Sequence, residues 1–370
     1  MSQKRRLLYK DIDALRFFAM LPVFLFSGLY LLNNGENAFI ADAVAGLSYL
    51  KQNSLDFFFF LSSFLLTSHA LREFKYDKGF SLKNFYVRRV IRIAPVFAMA
   101  LIFAFVVYPW IINTLKLTSI ETHVSIKNFL LLPNSSGTLT PEQYIYLAVI
   151  WTIYMFIIFY LIWGLILKFF MQQIRYIGIV LIGIGLIARI YHILINNVYE
   201  FNLLCYGIPI GIGALVANEI RSNDRLVENI KHSPKANHLI IYLIGVVTLL
   251  AGYLFLGKTY AAAIIPLITC TFFGYFIIEQ TFGKNSFFKL RKNKFIGRMG
   301  KISYGFIVYH TIILVVGLIS IESLEINITS IGSQIIYLIM GFLLSWLIAD
   351  LSYNWYERPI IAFKKEFKRS

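Results

Sequence analysis

The chain has 370 residues, of which 58% are hydrophobic and only 15% charged, and its mean hydropathy is +0.68. A soluble domain of this length cannot hide so much apolar surface, so lipid must be the solvent for much of the chain. The net charge of +16 comes with no compact basic domain, which argues against nucleic acid as a partner and for the Lys and Arg excess of cytoplasmic loops.

A membrane span needs about 20 mostly apolar residues. Ten stretches qualify: 14–32, 55–71, 93–113, 143–168, 176–195, 201–218, 238–256, 260–280, 303–320 and 333–351. The first carries Arg16 and is long enough to span, so it reads as a retained helix and not a cleavable signal. The second is short but rich in Phe and Leu, and the sixth is weakened by Gly207, Pro209, Gly211 and Gly213. The 34 Phe and 23 Tyr suit a chain with many lipid interfaces. Cys205 and Cys270 lie inside apolar stretches, with no spacing that suggests a zinc site or a disulfide framework. No metal ligand set is expected.

Orientation follows from the basic residues. With the N-terminus inside, the inner segments hold 29 of the 35 Lys and Arg, and the outer loops hold only Lys51, Lys116, Lys127 and Lys258. The expected architecture is therefore an all-α, polytopic membrane helix bundle of about ten helices, with both termini in the cytoplasm. A single transmembrane domain over 1–370 is expected, with no attached soluble domain. The longest outer loop, 114–142, includes Asn134, Ser135, Ser136 and Gly137 and is placed to cap the outer face. No internal repeat is visible, which argues against inverted-repeat transporters.

Titratable groups inside spans are expensive and therefore candidates for function. They are Arg16, Asp56, Arg189, His192, His310 and Asp350. Asp350 lies near the inner end of the last span, where water is an adequate partner. Arg189 and His192 are three residues apart near the outer end of the fifth span, with snorkelling or a local pairing as the bland reading. Arg16 and Asp56 occupy consecutive spans but enter from opposite sides. Arg88, Arg89 and Arg92 open the third span, and Arg88 and Arg92 share a helical face. Their guanidinium forks match phosphate oxygens, and ordinary anchoring at lipid headgroups is the competing explanation.

Six segments then carry a resemblance. They are Asp13-Ala-Leu-Arg16-Phe-Phe-Ala19; Leu55-Asp56-Phe-Phe-Phe-Phe-Leu-Ser62-Ser63-Phe64-Leu65; Phe85-Tyr-Val-Arg88-Arg89-Val-Ile-Arg92-Ile93-Ala-Pro95; Trp151-Thr-Ile; Ile302-Ser-Tyr304-Gly-Phe-Ile-Val-Tyr309-His310; and Tyr356-Glu357-Arg358-Pro359. In this order they resemble the motifs of the acyltransferase 3 family of integral membrane acyltransferases, which acylate sugars of envelope polysaccharides and related acceptors. Ser63 stands where that pattern usually has Gly.

The resemblance implies transfer of an acyl group, often acetyl from acetyl-CoA, to a carbohydrate or lipid-linked sugar hydroxyl, in a bacterial inner membrane. It assigns Arg16, Arg88, Arg89 and Arg92 to the phosphates of acyl-CoA. It gives Asp56, Trp151, Tyr309, His310, Glu357 and Arg358 structural or substrate-binding roles. Membrane lipids and another membrane protein are the further partners it allows. The family signature is an Arg and, eleven residues on, a His. Eleven residues advance a helix by about 16 Å and return to nearly the same face. An Arg at the cytoplasmic rim and a base nearer mid-membrane thus share one stripe.

Two positions depart from that pattern. Ser27 stands where the catalytic His is expected, and Phe156 where a Glu follows Trp151. A Ser hydroxyl does not titrate near neutrality, and Phe carries no proton at all. Activity is therefore expected to be impaired. Three explanations stand: a natural pseudoenzyme that binds as a partner or scaffold, a deliberate alteration of both sites, or relocation of the chemistry to His310 or His69. A transporter of a small or lipid-linked sugar is a separate alternative that ten spans and intramembrane charges permit.

Overall fold

The computed structural model describes residues 12–33, 38–76, 79–115, 140–195, 202–222, 224–256, 260–290 and 293–362. Every regular element among them is helical. In chain order they are α1 (Ile12–Leu32), α2 (Ala38–Tyr76), α3 (Leu82–Ile102), α4 (Tyr108–Thr114), α5 (Pro141–Phe169), α6 (Ile174–Leu194), α7 (Gly207–Ser222), α8 (Asp224–His232), α9 (Lys235–Leu256), α10 (Ile265–Phe282), α11 (Lys294–Ser323), α12 (Ile331–Ser352) and α13 (Arg358–Ala362). A π-helical turn, Phe103–Val107, joins α3 to α4, and another, Tyr353–Glu357, joins α12 to α13.

Nine helical segments among the described residues are long and apolar enough to cross a membrane. A tenth arises if α8 and α9, bent by 100° at their junction, are taken as one broken span. That pair covers the seventh expected stretch. The polytopic all-helical expectation therefore holds. The outer loop expected to cap the membrane face lies outside the described residues over 116–139, as do Lys4, Arg5, Arg6 and Lys10 at the N-terminus. Lys51, expected in an outer loop, is instead buried within α2. At 39 residues this helix runs about 58 Å, far beyond the roughly 30 Å hydrocarbon layer, and so starts well before its apolar segment.

Local chemistry sets several helix starts. The Thr140 hydroxyl accepts from the Gln143 amide at 3.3 Å, and the Gln143 side chain accepts from the Thr140 amide at 3.2 Å. This reciprocal box, with Pro141 at the first helical position, satisfies donors that α5 would otherwise leave open. Ser330 caps α12 by accepting from the Ser333 amide at 3.1 Å.

The chain divides into two compact units. The first comprises Met1–Ala19, Tyr49–Leu82 and Leu161–Lys301. Its core gathers Phe57, Phe60, Leu61 and Phe64 of α2 with Ile208 and Ile212 of α7 and Cys270 and Ile277 of α10. Helices α6 and α7 meet through glycines. A Cβ on Gly207 would collide with the Leu181 carbonyl, and one on Gly211 with the Gly178 carbonyl. Without a hydrophobic drive between helices in lipid, such close backbone approach is what holds them together. The glycines that weaken the sixth span as a hydropathy signal are the ones that seat it.

The second unit comprises Met20–Ser48, Lys83–Tyr160 and Ile302–Ser370. In α12 it turns inward Tyr337, Gly341, Ser345 and Ala349, at four-residue spacing, and leaves Ile336, Met340, Leu343, Leu344 and Leu347 exposed. Small residues inward and large aliphatics outward is the pattern of a lipid-facing helix.

Candidate active site

The second unit brings together most of the residues singled out in the sequence. Ser27 lies on α1, one turn after Val23, and is buried at 4% exposure. His310 lies on α11 and is fully buried. The His310 Nε2 atom is 3.2 Å from Ser27 Oγ. On its other side, His310 Nδ1 is 3.1 Å from the Phe306 carbonyl, one turn back. The imidazole also lies against two aromatic rings, with centroids 6.0 Å from Phe24 and 5.9 Å from Phe306, the latter nearly parallel. The ring is thus fixed by packing as well as by hydrogen bonding. Ser27 Oγ has a second neighbour, the Val23 carbonyl at 3.0 Å.

A polar chain lies nearby in sequence on α11 and at the end of α12. Tyr309 Oη is 2.8 Å from Ser352 Oγ, and Ser352 Oγ donates to Glu357 Oε1 at 3.3 Å. With the Ser352 proton committed to the carboxylate, the Tyr309 hydroxyl donates to Ser352. Glu357 is buried, and its Oε1 packs where a Cβ on Gly305 would stand, 2.9 Å away. The π-helical turn Tyr353–Glu357 turns Glu357 inward while Trp355 stays 82% exposed. Tyr304 donates to the Ile93 carbonyl at 3.2 Å, tying α11 to α3 within one turn of Arg92. Arg358 points to the exterior.

Arg88, Arg89 and Arg92 are partly buried near the middle of α3. The Arg89 guanidinium lies 5.7 Å from the Tyr160 ring centroid, within cation–π range. Three cations within two turns repel one another, so the cluster favours an anion in its vicinity. Trp151 is buried in α5 against Tyr154 at 5.1 Å. Phe156 lies one turn further along, 6.0 Å from Tyr160, and offers only an apolar ring.

The remaining candidates, Asp350 apart, belong to the first unit. Arg16 is held by Asp13 Oδ1 at 3.0 Å, three residues back on α1. Asp56, 1% exposed, pairs with the Arg189 guanidinium, 2% exposed, and Arg189 Nε also donates to the Cys205 carbonyl at 2.7 Å. Arg189 therefore does not snorkel. A carboxylate on α2 and a backbone carbonyl compensate its charge in the interior, which removes the need for water. His192 faces Asn202 at 2.8 Å. Ser63 donates to the Ile210 carbonyl at 2.6 Å, so its hydroxyl is used on α7. His69 is exposed. Asp350, in the second unit, accepts from Asn354, whose Nδ2 lies 3.0 Å from Asp350 Oδ2.

Sequence inspection missed two participants. Ser352 gave no signal, being one hydroxyl in an otherwise ordinary span. The Asp56–Arg189 partnership left a trace in the opposite signs of two intramembrane charges, but 133 residues separate them.

The model of the acyltransferase 3 family, an acyltransferase domain, matches residues 9–350. No curated protein and no solved structure matches the chain. The match spans α1 to nearly the end of α12 and includes both Ser27 and His310. The chain is a multi-pass membrane protein that belongs to the acyltransferase 3 family.

Proposed function

We propose that this protein moves an acyl group, acetyl in the first instance, from cytoplasmic acyl-CoA to a hydroxyl of an envelope carbohydrate or lipid-linked sugar, in the inner membrane of a bacterium. His310 is the base. The observation that carries this reading is the 3.2 Å approach of His310 Nε2 to Ser27 Oγ. By resemblance, residue 27 is where the family places its imidazole, and here α11 brings one to the same point. The Arg88, Arg89 and Arg92 cluster suits the phosphates of the donor. Turnover is impaired because Phe156 supplies no charge or proton where a Glu is expected.

The test is acetyl transfer by purified protein in lipid nanodiscs, from acetyl-CoA to a panel of hexopyranosides. Sugar-dependent release of the CoA thiol is expected. His310→Ala should lower it by about 100-fold or more, the scale of a lost general base. Phe156→Glu should raise it.

Phe156 also favours a second reading, a non-catalytic membrane partner or scaffold that binds ligands on the same fold. Binding of acetyl-CoA with no transfer to any sugar, in the Phe156→Glu protein as in the natural one, would decide for it.

A further inference from the structure

We propose that Ser27 is a nucleophile and His310 its base, so that acyl transfer passes through an acyl ester on Ser27. The proposal rests on the acyl-transfer reading above. It turns the apparent loss at position 27 into a different chemistry.

The hydrogen count supports it. The Phe306 carbonyl can only accept, so the proton of a neutral His310 sits on Nδ1, and Nε2 carries a free lone pair. Ser27 has one hydroxyl proton and two acceptors within reach, the Val23 carbonyl at 3.0 Å and His310 Nε2 at 3.2 Å. Rotation about the Cβ–Oγ bond moves that proton from the carbonyl to the imidazole without moving any heavy atom. A nucleophile within hydrogen-bond reach of a base, with the base oriented by a third group, is the signature of an activated hydroxyl. Here the orienting group is the Phe306 carbonyl, and the rings of Phe24 and Phe306 hold the imidazole plane.

A merely structural contact needs none of this. The Ser27 hydroxyl is already satisfied by the Val23 carbonyl one turn back on its own helix. The approach of the two across helices aligns a lone pair with a hydroxyl in a site that excludes water.

In the first half-reaction Ser27 Oγ attacks the carbonyl carbon of an acyl thioester, and its proton passes to His310 Nε2. The C–S bond breaks, the sulfur takes that proton, and the thiol leaves. In the second half-reaction an acceptor hydroxyl attacks the ester carbon and gives its proton to Nε2. The bond from the ester carbon to Ser27 Oγ breaks, and Oγ takes the proton back. No oxidant or reductant is involved.

The test uses the full-length protein in nanodiscs with radiolabelled acetyl-CoA and no sugar. One acetyl per chain should remain after denaturation, on the peptide containing Ser27, with matching release of CoA thiol. Ser27→Ala and His310→Ala should both bring the label to background. Ser27→Cys keeps a nucleophile of similar size. It should move the label from a bond that resists neutral hydroxylamine to one that hydroxylamine cleaves, a change that a structural role would not produce. Acetyl transfer to a sugar without label on the wild-type chain, or undiminished label on Ser27→Ala, would overturn the nucleophile and leave the acyltransferase reading standing. Neither label nor transfer from the wild-type chain would overturn both.

Discussion

The Asp56 carboxylate of α2 and the Arg189 guanidinium of α6 form an ion pair with almost no exposure on either partner. Taking two charges out of water is costly, and their mutual attraction, the Cys205 carbonyl and the Tyr206 ring 6.0 Å from the guanidinium offset it. Removing one partner leaves the other uncompensated.

The first prediction follows from that asymmetry. Asp56→Asn should destabilise the protein by about 3–5 kcal/mol, because the Arg189 charge stays behind. Asp56→Leu combined with Arg189→Met should recover a large share of the loss. Thermal unfolding in detergent gives the comparison. Equal stability of Asp56→Asn and wild type would show that the pair does not hold the first unit together.

A second prediction concerns the α3 cations. Losing a hydrogen bond to a charged group costs about 1.5–3 kcal/mol, roughly 10- to 100-fold in affinity. Arg88→Ala and Arg92→Ala should weaken acetyl-CoA binding on that scale. A desphospho analogue of CoA should lose less on mutation than CoA itself. Titration calorimetry of both ligands is the measurement, and identical losses would assign the arginines to lipid headgroups instead.

The α6–α7 contact supplies a third. Gly207→Val puts a branched side chain against the Leu181 carbonyl, which cannot yield. Overpacking of this kind costs about 1–3 kcal/mol, and more against backbone. The melting temperature should drop, while Gly183→Ala, which meets nothing within 4 Å, should leave it unchanged. A Gly207→Val protein as stable as wild type would contradict the close approach.

The Tyr309–Ser352–Glu357 chain provides the fourth. Tyr309→Phe removes one hydrogen bond and should cost about 1 kcal/mol, whereas Ser352→Ala removes both bonds of the chain and should cost about 2 kcal/mol. The double variant should cost less than the sum, because both changes interrupt one chain. Additive losses in a thermal cycle would show the bonds to be independent.

Several features were legible in the sequence because they are properties of short segments. Apolar length marked the spans, and the six motifs marked the family. The Lys and Arg excess of alternate loops marked the expected orientation. What the sequence did not show was which candidates meet. Arg189 read as an intramembrane cation that snorkels or pairs locally, and its carboxylate partner is Asp56 on another helix. Ser27 read as a lost base and lies against a base from another helix. Glu357 read as part of a motif, and its partner Ser352 carried no mark at all.

The reason lies in the solvent. A soluble helix reveals its inward face as an apolar stripe, because its other face must be polar. A spanning helix is apolar all round, so hydropathy locates it but does not say how it is turned. By itself the sequence determined that the chain is helical and membrane-embedded and which family it belongs to. Only the tertiary structure decided the rotation of α1 and α11 that places Ser27 Oγ 3.2 Å from His310 Nε2, across 283 residues of chain.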